Sequence, residues 1–186
     1  MVKFEIDGAV LTCETKPDLF SPKNLDTGTR MLLESVIKLS GSYTNVLDWG
    51  CGWGAIGLTL AELQPESRVT AVDSDIAAVS SATANAENNR VHNLKVVASH
   101  GFDQLDQDQK FDIIVSNPPT HRGREVLEQM VVESYQHLTA SGRLVVVVEA
   151  RLKPWVARAI KSSFGDYKIL KRGPKHVVLT GIKVLQ

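Results

Sequence analysis

Apolar and polar residues follow two different periods along the chain, and these periods alternate from residue 44 onward. Short apolar runs typical of buried strands are followed by segments in which apolar residues recur every three or four positions, as on a helix face. The pattern predicts strands at 45–48, 68–72, 93–98, 111–115 and 144–148, and helices at 26–40, 55–63, 75–86, 126–138 and 155–164. Such alternation predicts an α/β fold, a three-layer sandwich with a parallel sheet between two layers of helices.

Both ends of the chain are predicted to form antiparallel hairpins. Asp7-Gly8 is a strong two-residue turn signal between alternating stretches. Near the other end, strands at 167–170 and 176–180 flank a turn and would close the sheet. We therefore expect one domain, residues 1–186, in which 1–24 form a hairpin-and-loop appendage and 25–186 form the core.

The helix predicted at 75–86 has an expected buried face. Asp75 is a favourable N-cap, because its side chain can accept a hydrogen bond from a free backbone N–H. Ile76, Val79, Thr83 and Ala86 recur at helical spacing. We expect these four side chains to face the sheet.

The most informative stretch is the glycine-rich loop 48–57, D-W-G-C-G-W-G-A-I-G, between a strand and a helix. Glycines there allow a tight turn and the close approach of a ligand. Gly52, Gly54 and Gly57 also fit the G-x-G-x-x-G pattern of dinucleotide sites, and Asp73 follows Gly52 by 21 positions, where an acid binds a ribose hydroxyl. These features alone fit both a nicotinamide dinucleotide and S-adenosylmethionine.

Asp48, which opens the loop, separates the two ligands. A carboxylate at that place would repel a pyrophosphate and attract the ammonium of a methionine moiety. Two acids, Asp48 and Asp73, therefore favour a cationic, ribose-bearing cofactor and make a dehydrogenase the weaker interpretation.

Asn117-Pro118-Pro119 follows the strand predicted at 111–115. Two prolines cannot continue a strand, so the chain turns at the carboxyl edge of the sheet, where ligands bind in such folds. The Asn117 side-chain oxygen and the Pro118 carbonyl could each accept one hydrogen of a planar amino group and tilt its lone pair toward a methyl donor. Taken alone, the tripeptide also fits a plain proline turn.

Together these residues resemble class I S-adenosylmethionine-dependent methyltransferases of the "methyltransferase small" group. Within it, they resemble the catalytic domain of ribosomal small-subunit RNA guanine-N2 methyltransferases. The likeness extends to Phe20-Ser21, to the segment 25–29 (L-D-T-G-T), and to His121 and Gly123 after the prolines. It implies a Rossmann-like fold with a seven-stranded mixed sheet, an antiparallel last strand, and S-adenosyl-L-methionine as cofactor.

The resemblance also assigns roles to individual residues. The cofactor-binding candidates are Asp48, Gly50 and Gly52 for the methionine end, Asp73 for the ribose, His100 and Gly101 beside the adenine, Phe20 and Thr29 nearby, and Gly54 and Ser74 without a more specific role. The catalytic candidates are Asn117, Pro118, Pro119 and His121. For His121, acceptance of the product's proton competes with an ordinary hydrogen-bonding or solvent-facing role.

The sequence departs from the family at two points. Thr120 stands where an aromatic residue usually stacks on the target base, and losing that contact removes about 1–3 kcal/mol per base. His121, Trp53 or Phe20 could compensate. We also expect the chain to lack the N-terminal partner domain of some relatives, so that RNA recognition comes from its own surface or from a companion.

Charge is unevenly distributed along a chain whose net charge is zero. Residues 143–186 contain ten Lys or Arg and two acids, whereas the first 142 contain 11 and 19. This asymmetry predicts a basic face that attracts phosphate backbones, although lysines that protect an edge strand would look the same. The candidate phosphate contacts are Arg122, Arg124, Lys171, Arg172 and Lys175.

The remaining features limit compartment and partners. The sequence has neither a basic, apolar leader nor an apolar stretch long enough to span a bilayer, and Cys13 and Cys51 form neither a disulfide framework nor a metal cluster. We expect a cytoplasmic protein without membrane or metal, monomeric or a weak homodimer, that binds RNA.

The leading hypothesis for function is methyl transfer to the exocyclic amine of a nucleobase, guanine N2 in small-subunit ribosomal RNA or in a ribosomal subunit particle. Protein glutamine and DNA adenine amino groups suit the same Asn-Pro-Pro loop. An alternative from another class is a cofactor-binding or RNA-binding module without catalysis, which Thr120 motivates.

Overall fold

The computed structural model describes residues 1–19, 21–39, 41–119 and 123–184. Nine strands and five helices are assigned within them. The strands are β1 (Val2–Ile6), β2 (Ala9–Cys13), β3 (Asn45–Trp49), β4 (Arg68–Asp73), β5 (Leu94–Ala98), β6 (Phe111–Ser116), β7 (Leu138–Glu149), β8 (Lys168–Arg172) and β9 (His176–Ile182). The helices are α1 (Thr27–Ile37), α2 (Ala55–Leu63), α3 (Ile76–Asn88), α4 (Arg124–His137) and α5 (Lys153–Phe164).

Seven strands form one sheet in the order β5-β4-β3-β6-β7-β9-β8. Strands β3 to β7 pair in parallel, and β9 runs antiparallel to both β7 and β8. The last strand of the chain is therefore inserted between two others rather than added at the edge. The predicted seven-stranded mixed sheet with an antiparallel last strand is confirmed, and so is the N-terminal hairpin of β1 and β2.

Two apolar clusters cover the two faces of the sheet. One contains residues of α1, α2 and α3, and the other contains residues of α4 and α5. Successive residues of β7 alternate between them: Val145 and Val147 belong to the first cluster, Val146 and Val148 to the second. Because both faces are covered, β7 is a continuous apolar run rather than an alternating one.

The N-terminal hairpin packs onto the same core as α1 and α2. Its inward side chains, Val2, Phe4, Ile6, Leu11 and Cys13, belong to the cluster on that face. The Phe4 ring meets Trp53 of the glycine-rich loop edge to face, with 5.9 Å between ring centroids. The hairpin therefore packs against the glycine-rich loop through the contact of Phe4 with Trp53.

Helix α3 buries a different face from the one that its apolar residues predict. Ile76 is 67% exposed and Thr83 is exposed, so placing them against the sheet was wrong, whereas Ala86 is buried as expected. The buried residues are Ala78, Ser81, Ala82, Asn85 and Ala86. The cause is a close approach to the glycine-rich loop, since a Cβ on Gly54 would lie 3.1 Å from the Cβ of Ala82. At Ala82, therefore, only a small side chain fits between helix and loop.

None of the helices in the described part of the chain combines the length and apolar character that a membrane-spanning segment needs.

Candidate active site

A cavity of about 790 Å³ opens at the carboxyl edge of the parallel strands. Its wall is formed by the glycine-rich loop after β3, the end of β4, the loop after β5 and Asn117-Pro118-Pro119 after β6. The start of α1, helix α4, the end of β7 and the turn between β8 and β9 also line it. In α/β sheets this edge is where ligands bind, because neighbouring loops diverge there.

The glycine-rich loop requires glycine at the positions that face the cavity. Gly50 has φ +78° and Gly52 has φ +55°, backbone angles that residues with a Cβ rarely adopt. The amides of Gly50 and Cys51 both donate to the Val72 carbonyl, at 2.8 and 2.9 Å, which fixes the turn to the end of β4. A Cβ on Gly50 or Gly52 would meet no atom within 4 Å, so the backbone is open to a ligand.

Asp73 is held at the wall by the backbone around it. Its Oδ2 accepts from the Gly52 amide at 2.9 Å, and its Oδ1 accepts from the Asp75 amide at 3.0 Å. The carboxylate is half-buried and lines the cavity beside Ser74. Its position between the glycine-rich loop and α3 is the one expected of a group that binds ribose hydroxyls.

Asp48 lies beneath the loop rather than in the cavity wall. The residue is fully buried, and its Oδ2 accepts from the Gly57 amide at 2.8 Å. Its Oδ1 is buried without a hydrogen-bond partner among the described residues. Burial raises the pKa of Asp48 to about 7; the Gly57 N–H opposes this rise, and the charge of Asp73 adds to it. Its contact with the methionine end therefore stays a prediction.

Asn117 is held by two residues at the start of α1. Its Nδ2 donates to Thr29 Oγ1 at 2.9 Å and to Asp26 Oδ2 at 3.1 Å. Asp26 is also the N-cap of α1, since the same Oδ2 accepts from the Thr29 amide at 3.0 Å. The Thr29 hydroxyl thus contacts the Asn117 amide, which its assignment to the cofactor did not anticipate.

Pro118 and Pro119 continue the cavity wall after Asn117. Pro118 is buried and Pro119 half-buried. Just before them, Ser116 Oγ donates to the Trp49 carbonyl at 2.7 Å and so joins the end of β6 to the end of β3. This bond places the Asn-Pro-Pro turn beside the glycine-rich loop.

The structure brings most of the predicted site residues together. The predicted residues that line the cavity are Gly50, Gly52, Asp73, Ser74, His100, Gly101, Thr29, Asn117, Pro118 and Pro119. Gly54 lies against α3 instead, and Asp48 lies below the loop. Phe20 and His121, like Thr120 and Arg122, fall outside the described residues.

Sequence reasoning missed several acids of the wall. Seven carboxylates line the cavity: Asp73 and, in addition, Asp18, Asp26, Asp75, Asp103, Glu133 and Glu149. The Lys and Arg residues in the described part of the wall are Arg151 and Lys175. An acid at the end of a strand, such as Glu149 at the end of β7, could have been found from its position. Glu133 lies within α4, where nothing in the pattern distinguishes it. The excess of carboxylates favours a cationic ligand over a pyrophosphate.

Among the described residues, no group of three or more His, Cys, Asp or Glu side chains is arranged to hold a metal ion.

Comparison with known proteins agrees with this geometry. Residues 10–180 match the model of the methyltransferase small domain. The ribosomal RNA small subunit methyltransferase C of Haemophilus influenzae (strain PittEE) is 35% identical over 90% of this chain and 50% of its own length. An uncharacterized Bacillus subtilis protein, YbxB, is 29% identical over 97% of this chain and 90% of its own. The chain therefore spans about half the length of the curated ribosomal RNA methyltransferase and most of the length of the Bacillus protein.

A solved structure supports the same conclusion. The 16S rRNA N2 guanine methyltransferase of T. thermophilus, determined in complex with AdoMet and guanosine, superposes with a TM-score of 0.85 at 28% identity, covering 97% of this chain and 49% of that one. A methyltransferase from Pyrococcus furiosus shares the fold, with a TM-score of 0.76 at 22% identity over 94% of this chain and 90% of that one. The resemblance found in the sequence is thus confirmed, with S-adenosyl-L-methionine as the cofactor. The chain belongs to the methyltransferase small family.

Proposed function

We propose that this chain transfers a methyl group from S-adenosylmethionine to the exocyclic amine of a nucleobase in RNA, and specifically to guanine N2 in small-subunit ribosomal RNA. The observation that carries the proposal is the position of Asn117, fixed by Asp26 and Thr29 in the wall of a cavity that also contains the glycine-rich loop. The substrate class is supported by the ribosomal RNA methyltransferases that the chain resembles.

The cavity residues fit the cofactor. Gly50 and Gly52 leave backbone open to a ligand, and Asp73 offers oxygens for a ribose. Asp48 has one buried oxygen without a partner among the described residues, and seven carboxylates line the cavity, so a ligand with ammonium and sulfonium charges is favoured. When bound, S-adenosylmethionine supplies an electrophilic methyl group whose leaving group is a neutral thioether.

Asn117 and Pro118 orient the amine that receives the methyl group. The Asn117 Oδ1 and the Pro118 carbonyl each accept one N–H, which holds the amino group out of conjugation and directs its lone pair toward the methyl carbon. Two fixed acceptors provide the alignment that a displacement at carbon requires, and correct positioning alone contributes a large part of such rate enhancements. No strong base is needed before attack, because the amine is neutral.

The experiment compares wild type with Asn117→Ala, using S-adenosylmethionine with a labelled methyl group and four acceptors: free small-subunit ribosomal RNA, assembled small subunits, DNA and cellular protein. We expect label in guanine N2 of ribosomal RNA and a loss of roughly 100-fold or more in kcat for Asn117→Ala, as for removal of other positioned catalytic groups. Calorimetric affinity for S-adenosylmethionine should stay at the wild-type value.

Asn88→Ala is the matched control, because Asn88 is exposed on α3 away from the cavity wall. It should transfer methyl groups at the wild-type rate. Full activity of Asn117→Ala, or label only in DNA or in protein glutamine, would contradict the proposal.

A further inference from the structure

The start of α1 holds the nitrogen of the Asn117 side chain from two directions. Asp26 Oδ2 accepts from Nδ2 at 3.1 Å, and Thr29 Oγ1 accepts from it at 2.9 Å. Both acceptors come from residues about 90 positions earlier in the chain, so the contact depends on tertiary packing. An amide nitrogen has two hydrogens, and these bonds use both.

These bonds determine which way the amide faces. An ionised carboxylate can only accept, so the Asn117 nitrogen must point at Asp26. The reversed amide would place Asn117 Oδ1 against Asp26 Oδ2, two acceptors without a hydrogen between them. Oδ1, the atom that would accept from the substrate amine, is therefore turned away from α1.

Gly28 leaves the room that the carboxylate occupies. A Cβ at this position would lie 2.9 Å from Asp26 Oδ2 and 3.2 Å from His176 Cδ2. The φ angle of Gly28 is not positive and the residue lies in the first turn of α1, so the backbone would accept alanine. Alanine would instead disturb the position of the Asp26 carboxylate and, to a smaller extent, that of the His176 ring.

We propose that Asp26, together with Thr29, is a positioning residue for methyl transfer: it fixes the Asn117 amide so that Oδ1 faces the acceptor amine, and its negative charge makes Oδ1 a stronger acceptor. The inference rests on the proposed function. A hydrogen bond to a charged acceptor polarises the amide and passes electron density to its oxygen. The amine becomes more positive as its lone pair attacks. The hydrogen bond from the amine to Asn117 Oδ1 is therefore strongest in the transition state, and strengthening it raises kcat.

The alternative is that Asp26 only caps α1, a role that Ser also fills well. Asp26→Ser therefore retains the cap but is too short to reach Asn117 as well. Thr29→Val removes the second acceptor while keeping the shape of the side chain, and Thr29→Ser restores the hydroxyl. Gly28→Ala displaces the Asp26 carboxylate, and crowds the His176 ring, without replacing either acceptor residue.

For each variant we would measure kcat and KM for ribosomal RNA, the Kd for S-adenosylmethionine and the Tm. We expect kcat to fall roughly ten- to 100-fold in Asp26→Ser, Thr29→Val and Gly28→Ala, the range that misplacement of a catalytic group by about 1 Å produces. KM for RNA and Kd for the cofactor should change by less than about threefold, and Thr29→Ser should recover most of the rate. Wild-type kcat in Asp26→Ser and Thr29→Val would overturn the inference, as would a loss that follows Tm and that Thr29→Ser does not restore.

A second measurement needs no RNA. The side-chain amide of Asn117 should exchange slowly in the ¹⁵N NMR spectrum of wild type, because both its hydrogens are bonded, and at least tenfold faster in Asp26→Ser and Thr29→Val. Unchanged exchange would overturn the positioning role even if the protein methylates RNA. A wild-type protein that methylates no RNA would contradict the proposed function, while the exchange rates would still decide the role of Asp26.

Discussion

Asp48 is a fully buried carboxylate with a hydrogen bond to one of its two oxygens among the described residues. Its ordinary pKa is 3.8, and burial raises this to about 7 in the folded chain. Between these two values the folded state binds the proton and the unfolded state does not. Stability is therefore lost as pH rises from about 4 to about 7, and the full cost applies above pH 7.

Asp48→Asn should therefore stabilise the protein, and increasingly so at higher pH. The amide has the same shape, can accept from the Gly57 N–H through its oxygen, and is neutral, so it avoids the cost of burying a charge. We expect the Tm to exceed that of wild type by roughly 5 °C or more at pH 8, on the usual scale for a domain of this size, and by little at pH 4.

Thermal unfolding at pH 4, 6 and 8, without cofactor, checks this prediction. Asp103→Asn is a control with the same change of charge at an exposed position. A difference between Asp48→Asn and wild type that is constant across these pH values would contradict the raised pKa.

At the scale of single residues, the sequence predicted the parts of the site that local pattern determines. The glycines and Asn117 follow buried strands, Asp73 ends one, and all parallel strands of a sheet end at the same edge. The contact of Asp26 with Asn117 could not be predicted, because it joins α1 to the end of β6 across 91 positions. Only the packing of α1 beside the central strands creates it.

At the scale of elements, α3 joins the N-terminal hairpin to the glycine-rich loop through Asn85. The Asn85 Nδ2 donates to the carbonyls of Glu14 and Trp53, both at 2.9 Å, and its Oδ1 accepts from the Glu14 amide at 2.7 Å. One turn later, Asn89 makes a similar pair of bonds with the backbone of Thr12. The side chains of Asn85 and Asn89 thus bond backbone N–H and C=O groups at the end of β2 and just after it, as the backbone of a neighbouring strand would.

Asn85→Ala should cost about 2–4 kcal/mol of unfolding free energy. It would remove three hydrogen bonds. The bond to the Trp53 carbonyl is buried, and losing a bond at such a site costs roughly 1–3 kcal/mol. The two bonds to the exposed Glu14 contribute about 1 kcal/mol together, because water can replace them and the Glu14 carbonyl also accepts from the Ser81 hydroxyl. Asn89→Ala should cost about 1 kcal/mol, because its bonds to Thr12 are exposed. Urea unfolding measures both, with exposed Asn88→Ala as control. Equal stability of the Asn85 and Asn88 variants would contradict this role.

The same helix shows why the sequence predicted elements better than their faces. Apolar spacing located α3, and Asp75 caps it as expected, with Oδ1 accepting from the Ala77 amide at 2.8 Å. The predicted buried face was wrong because the helix lies close to the glycine-rich loop at Ala82, and because the face that it buries there includes a polar residue, Asn85. Hydrophobicity cannot identify a side chain that is buried in order to bind backbone groups.

At the scale of the whole molecule, negative charge lies inside the cavity and positive charge on one side of its mouth. Arg172 and Lys175 are exposed where β8 turns into β9, and Lys175 lines the cavity with Arg151. The Lys175 carbonyl accepts from the Ala150 amide at 2.8 Å, which joins this turn to the residue that follows β7. Lys171 is engaged with Glu34, and Arg151 with Glu149, so Arg172 and Lys175 are the better placed of these cations to meet phosphates.

Reversing these charges should weaken RNA use without affecting the cofactor. In Arg172→Glu/Lys175→Glu, we expect kcat/KM for RNA to fall roughly tenfold or more at low salt. The slope of log affinity against log salt should become shallower by about one to two, because a phosphate that is no longer contacted keeps its counterions when the RNA binds. Lys161→Glu/Lys168→Glu carries the same change of charge on exposed residues, and Lys168 lies at the far end of β8, about 13 Å from Arg172. Titrations of both double variants at several salt concentrations distinguish a local contact from the effect of net charge. Equal losses in both would mean that total charge, and not the turn between β8 and β9, attracts the RNA.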